Sequence, residues 1–173
     1  MNSARNVIRT IDPVRVTVGD VDYAIYPFPA FKAANVTGDI MGLLLPMIGS
    51  LAPLLSKEGD VLDEDMEEAI PAVSAAFSSI SGDKLEKLLK KLLIEHQNIA
   101  TEIEDEEGKV SQVILTEEVI NNYRLFAFNV QEMYLLAFQV LKVNYSGFFE
   151  KIGSRFGTQS VQKMTAMFQN MAT

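Results

Sequence analysis

The chain has no cysteine, which removes disulfides, thiolate metal sites and cysteine nucleophiles together and fits a reducing compartment such as a cytoplasm. It has one histidine, His96, so no pair of imidazoles can share a metal. With Glu95 beside it, a surface or capping role outweighs catalysis. No serine sits in a GxSxG elbow, and neither GxGxxG nor GxxxxGK[ST] occurs, so a hydrolase nucleophile and a phosphate-cradling loop are both missing. Basic residues are scarce, 15 Lys and Arg against 23 Asp and Glu for a net charge of −8, which argues against nucleic acid, whose binding draws on clustered cations. The opening MNSARNVIRTID lacks the apolar stretch of a secretory signal. These absences predict a protein that is not an enzyme and carries no cofactor or metal.

At 173 residues, 48% hydrophobic and 22% charged, the chain has the length and composition of one globular domain. Its oiliest stretch, Ile40 to Leu55 (IMGLLLPMIGSLAPLL), holds no charge. It falls short of the roughly 20 apolar residues of a membrane span. Pro46 and Pro53 interrupt it further, as do Gly42 and Gly49, so short buried helices are the favoured reading and no membrane is expected as a partner. The acidic spacer that follows, KEGDVLDEDMEE from Lys57 to Glu68, lacks the alternating oxygens and turn glycine of a calcium loop.

Residues 14 to 26, VRVTVGDVDYAIY, alternate apolar and polar around Gly19-Asp20, which predicts a hairpin with Val14, Val16 and Val18 on one face and Val21, Tyr23 and Ile25 on the other strand's matching face. Helical segments are expected from Ala30, broken at the prolines. Another follows Pro71, and Ser81 should cap a third whose Leu85, Leu88, Leu89, Leu92 and Leu93 form an apolar stripe opposite Lys84, Lys87, Lys90 and Lys91. Asn98 to Leu115 reads as a second hairpin turning near Gly108. Thr116 should cap a long helix running to about Val143. The resulting fold class is α+β: a mainly α-helical single domain over residues 1–152, with an N-terminal β-hairpin and a second β-hairpin before a long helix. Residues 153–173 are expected to form a mobile, Met-rich C-terminal tail.

That long helix carries more apolar residues than one stripe needs. At about 100° per residue, Tyr123, Phe126, Val130, Met133, Tyr134, Ala137 and Leu141 gather on one side. Leu125, Phe128, Leu135, Leu136 and Val143 fall among polar residues. Either another part of the chain covers them or they form a surface for self-association or an apolar helical partner. Eight methionines suit adaptable contacts or core filling alike. Candidate partner-binding residues are therefore Leu125, Phe128, Leu135 and Leu136, joined by Met164, Met167 and Phe168 near the C-terminal end.

Two stretches, VTVGDVDYAIYPFPAFKA and AFQVLKVNYSGFFEKIG, together resemble tail assembly chaperones of long-tailed bacteriophages. The resemblance spans most of the chain in order: hairpin, helices, acidic spacer, second hairpin and long helix, with Val143-Asn144-Tyr145 and Phe148-Phe149 at its end. It implies a non-enzymatic protein that binds the long helical tape measure protein, keeps it soluble and promotes assembly of tail tube subunits. It implies action in the host cell cytoplasm and absence from the mature virion, with homo-oligomers as a further expectation. Asn144 would cap or turn the helix end, and Tyr145, Phe148 and Phe149 would pack it to the core. Alternatives are a structural virion protein of the tail or head and, less favoured, a small membrane-associated protein.

Overall fold

Alternating valines start the sheet. In the computed structural model, which describes residues 12–38, 42, 66–104 and 108–147, β1 (Val14–Val18) and β2 (Val21–Ile25) form the first hairpin. Gly19 holds a φ of +61° at the first of the two turn residues, the position where type II′ hairpins carry glycine. The second hairpin pairs β3 (Ile99–Glu104) with β4 (Val110–Ile114). β2 joins β3 antiparallel, giving one sheet in the order β1-β2-β3-β4.

The register sorts the side chains. Val16, Tyr23, Thr101 and Val113 lie in one cross-strand row on the inner face. Thr101 is buried there and satisfies its hydroxyl by donating to the Asp22 carbonyl at 3.1 Å. Arg15, Ala24, Ala100 and Ile114 form the matching outer row. The outer row faces solvent at its ends, while the two small alanines sit low between longer neighbours.

Between β2 and β3 the chain is helical over residues 30–38 (α1), then over α2 (Met66–Ser78) and α3 (Gly82–Leu93). Pro71 lies inside α2, not before it as its helix-breaking chemistry suggested; the helix tolerates the lost donor because Val73, Ala76 and Phe77 are anchored in the core beyond it. Ser81 occupies the cap position of α3 as expected. Its side chain makes no capping bond, and its carbonyl accepts from Leu85 instead. Leu88, Leu92 and Leu93 of the stripe are buried.

After β4, Thr116 caps α4 (Glu117–Asn122) by accepting the Val119 amide at 3.2 Å. The expected single helix to Val143 is then broken: residues 123–129 form turns, and helix resumes over 130–147 (α5). From Leu135 to Leu141 every residue of α5 is buried, which marks a central helix covered on all sides, the arrangement that makes a helix apolar all round. Its residues share one core with the inner sheet face, with Val36 of α1 and with the buried stripes of α2 and α3. Phe77 of α2 stacks on Tyr134 with ring centroids 5.3 Å apart. Full burial of aliphatic side chains such as Leu136, Val140 and Leu141 contributes about 1.5–3 kcal/mol each.

The segments that carried the resemblance meet in space. Pro27 and Pro29 have no amide hydrogen, so Phe28 supplies the lone backbone donor between them, and that amide donates to Asn144 Oδ1 at 2.6 Å. Asn144 Nδ2 donates in turn to the Val140 carbonyl at 2.8 Å, and the Tyr145 hydroxyl donates to the Ala33 carbonyl at 3.1 Å. The end of α5 is thus fastened to the start of α1 by side chains 116 and 112 residues away in sequence. Burial holds the Tyr145 hydroxyl above its ordinary pKa. Apart from Gly42, the Ile40–Leu55 run lies outside the described residues, as do Phe148, Phe149 and residues 153–173.

Candidate functional site: an apolar knuckle and groove

The break between α4 and α5 is built from backbone hydrogen bonds. The Leu125 amide donates to the Ile120 carbonyl at 3.0 Å and the Arg124 amide to the Asn121 carbonyl at 3.4 Å, the bond pair of a Schellman helix stop. The left-handed residue such a stop requires is Arg124, with φ +52°, where glycine is usual. Phe126 is left-handed too, at φ +62°, a rare conformation for a bulky side chain. Its ring is held in the core, stacked on Tyr23 with centroids 6.1 Å apart. Asn129 then opens α5: its Oδ1 accepts the Gln131 amide and its Nδ2 donates to Glu132 Oε1, both at 3.2 Å. Asn129 thus caps the second amide of the new helix, and Glu132, three residues on, holds the cap side chain in place.

Glu132 serves a second purpose. Its carboxyl group lies over the first hairpin turn, so close that a methyl group added at Gly19 would stand 2.8 Å from it. Burial first, and the Glu132 charge second, push the Tyr23 hydroxyl well above its ordinary pKa, so Tyr23 stays neutral beneath Phe126.

This scaffold presents large apolar side chains among polar ones such as Asn122, Arg124 and Gln131. With Phe126 turned inward at 9% exposure, Phe128 is turned outward at 96%. Tyr123 and Val130 flank it, each about half exposed. Beside this knuckle runs a groove of about 310 Å³, floored by Leu85, Leu89, Ile120 and Met133 from α3, α4 and α5. The knuckle starts two residues after Asn121 and ends before Met133, both of which line the groove. Lys90 bridges the groove rim from α3, its Nζ 3.0 Å from Glu86 and 3.3 Å from Glu117 of α4. Hydrogen bonds to these two carboxylates raise the Lys90 pKa. Such exposed pairs contribute little stability but fix which charges border the apolar floor.

The candidate residues read from the sequence separate sharply. Phe128 is fully presented and Leu125 is partly buried against the core. Leu135 and Leu136 are core, at 5% and 0% exposure, and offer no surface, because α5 is covered on all sides from Leu135 to Leu141. Conversely Tyr123 and Val130, which that wheel placed inward, are on the surface. Met164, Met167 and Phe168 lie outside the described residues. The exposed members Tyr123 and Val130 were missed, although the Asn129-Val-Gln-Glu132 pattern signals a new helix start and would have located them.

Other chemistry does not converge. His96 packs edge-on to the Phe28 ring, centroids 5.1 Å apart, with Nε2 buried and unbonded; burial lowers its pKa, opposed by Glu95 and aided by Lys32 and Lys91. Among the described residues no three His, Asp or Glu side chains are grouped to hold a metal ion. Also among them, no helix is long and apolar enough to cross a membrane.

Comparison with known proteins finds no match among curated proteins or among solved structures. Residues 19–157 match the family model described as phage tail assembly chaperone protein, TAC, a span that takes in the turn and second strand of the first hairpin, the whole second hairpin, the knuckle, the groove and the Phe28–Asn144 clasp. The chain, matched over well more than half its length, belongs to the phage tail assembly chaperone family.

Proposed function

We propose that this protein acts without catalysis, by holding the tape measure protein of its phage through apolar contact at the knuckle and groove. The tape measure stays soluble in the host cell cytoplasm, tail tube subunits are recruited around it, and the chaperone leaves before the virion is complete. The observation that supports this most is Phe128: an aromatic ring exposed almost completely, on a turn whose neighbour Phe126 is locked into the core. A long helix with one apolar side fits such a surface, its anchor residues spaced to enter the groove while the knuckle closes on an adjacent turn. Acidic balance suits the task, since a net charge of −8 keeps loaded complexes apart in solution.

Coexpression with the tape measure protein encoded by the same phage tests the proposal. Wild-type chaperone should hold the tape measure in the soluble fraction and copurify with it. Phe128→Ala should lower affinity by about 2 kcal/mol, roughly 30-fold, as loss of a central aromatic anchor does. Because the ring touches little of its own protein, thermal stability should stay within about 0.5 kcal/mol of wild type. A tape measure equally soluble with the alanine variant would remove the knuckle from the account. Copies of the chain found in purified virions in stoichiometric amounts would favour a structural tail protein instead.

A further inference from the structure

The sheet has two outer strands, β1 and β4, and they differ in chemistry. β1 carries Arg15, engaged across the sheet with Glu102 at 3.6 Å. β4, VSQVI, holds no charge, proline or glycine, so its side chains lack the charge and proline by which edge strands discourage pairing, and among the described residues no strand pairs with its outer side. Its side chains are mostly exposed, Val110 and Ile114 among them.

Backbone alternation fixes what the edge offers. The Leu115 amide donates to the Ile99 carbonyl, so residues 115, 113 and 111 turn their backbone groups toward β3, and Val110, Gln112 and Ile114 turn theirs outward. From this geometry we infer that β4 pairs antiparallel with β4 of a second copy of this chain, about a two-fold axis at Gln112. In that register Gln112 meets Gln112 of the second copy, and Val110 of each copy meets Ile114 of the other. Every outward backbone group then finds a partner, because each facing pair is of the type that exchanges both hydrogen bonds. A one-residue slip sets outward groups against inward ones, and a two-residue slip strands one end of the strand.

Charge does not oppose this occupant at the seam. Two copies at −8 each repel, yet among the described residues the outer-face acids beside β4, Glu102 and Glu104, lie on β3. They are one strand back from the seam, which keeps equivalent carboxylates about 14 Å apart across it at the usual strand spacing. That exceeds the screening length of about 8 Å at physiological salt. The seam itself joins uncharged side chains, with valine against isoleucine at both ends.

Sedimentation velocity of the purified full chain alone, from micromolar to millimolar concentration, reads the association without any tape measure present, so its outcome is separate from that of the chaperone test. Wild type should pass from monomer to dimer and stop there. Gln112→Pro removes an outward amide that β3 does not use, a position where edge strands accept proline, and should leave a monomer with the wild-type circular dichroism spectrum. Gln112→Lys and Gln112→Glu should each weaken the dimer roughly tenfold or more, since like charges would face each other at the axis. An equal mixture of the two should restore it. A monomer at every concentration, growth beyond the dimer through β1, a dimer indifferent to these changes, or a mixture no tighter than its components would each overturn the pairing.

Discussion

Replacing Asn144 with alanine removes both ends of the clasp that ties α5 to the Pro27-Phe28-Pro29 segment. The Phe28 amide loses its acceptor at 2.6 Å. With Phe28 itself buried, that donor loses its partner, and leaving it unsatisfied costs about 1–3 kcal/mol. Loss of the 2.8 Å bond to the Val140 carbonyl matters less, because that oxygen is within a helix and keeps its own helical donor. The net expectation is about 2 kcal/mol, which for a chain of 173 residues lowers Tm by roughly 4–8 °C. Urea unfolding followed by circular dichroism should show the midpoint falling at constant m. Ser146→Ala, two residues further on, is the control and should stay within about 0.5 kcal/mol of wild type. Tyr145→Phe, which loses the 3.1 Å bond to the Ala33 carbonyl, should combine with Asn144→Ala to less than the sum of the two, because each loosens the same segment. If Asn144→Ala matched the Ser146→Ala control, the clasp would carry no stability and the reasoning would be refuted.

Gly19→Ala meets two obstacles at once, a φ of +61° and a contact of 2.8 Å with the Glu132 carboxyl; a left-handed alanine alone costs about 1–2 kcal/mol, and pushing Glu132 off Asn129 adds to it, so a thermal melt equal to wild type would contradict this geometry. His96 should make stability depend on pH below neutrality. Both states hold it neutral above its ordinary value of 6.5, where stability is full; as pH falls below that, the unfolded chain takes the proton first, because burial lowers the folded value, and stability declines until the folded value is passed. His96→Gln should flatten that part of the profile between about pH 7 and pH 5.5, where most carboxylates remain ionised, and an unchanged slope would show that the imidazole is not buried in the fold.

Both hairpins were legible because a strand's period of two is short: five residues of β1 suffice to show it, and Gly19 marks the turn by a conformation that other residues avoid. Thr116 was legible as a cap for the same local reason. The stop after Asn122 was not, since the left-handed position that usually advertises itself with glycine is filled by Arg124, and the second one by Phe126. A helix wheel extended through that break accumulates the wrong angle. It grouped Tyr123 and Val130 with the buried Ala137 and Leu141, although both are half exposed, while Leu135 and Leu136, left open between intrachain cover and surface, are covered. The start signal at Asn129 and Glu132 was present in the sequence, but a cap is informative only when the preceding helix is known to have ended. The burial of α5 on all sides depends on four other elements and could be read only as a surplus of apolar residues in need of cover.

Covering α5 within the chain has a consequence for how the protein meets a partner. A helix buried from Leu135 to Leu141 cannot lend that area without unfolding, so the apolar surface available to a folded molecule includes what the break at residues 123–129 turns outward. Two left-handed residues there cost about 1–2 kcal/mol apiece, small beside the 5–15 kcal/mol of a typical domain and offset in part by burying the Phe126 ring. In exchange Phe128 is carried by a turn fixed at both ends, by the Schellman bonds on one side and the Asn129 cap on the other. A ring held in place loses little freedom on contact, and an anchor that is ordered beforehand binds more tightly for the same area. On the proposed function, loosening the turn should therefore weaken capture of the tape measure even with Phe128 intact. Asn129→Ala, which removes the cap and frees Glu132, should lose affinity chiefly through faster dissociation, and an unchanged dissociation rate would mean that the exposed ring works without its scaffold.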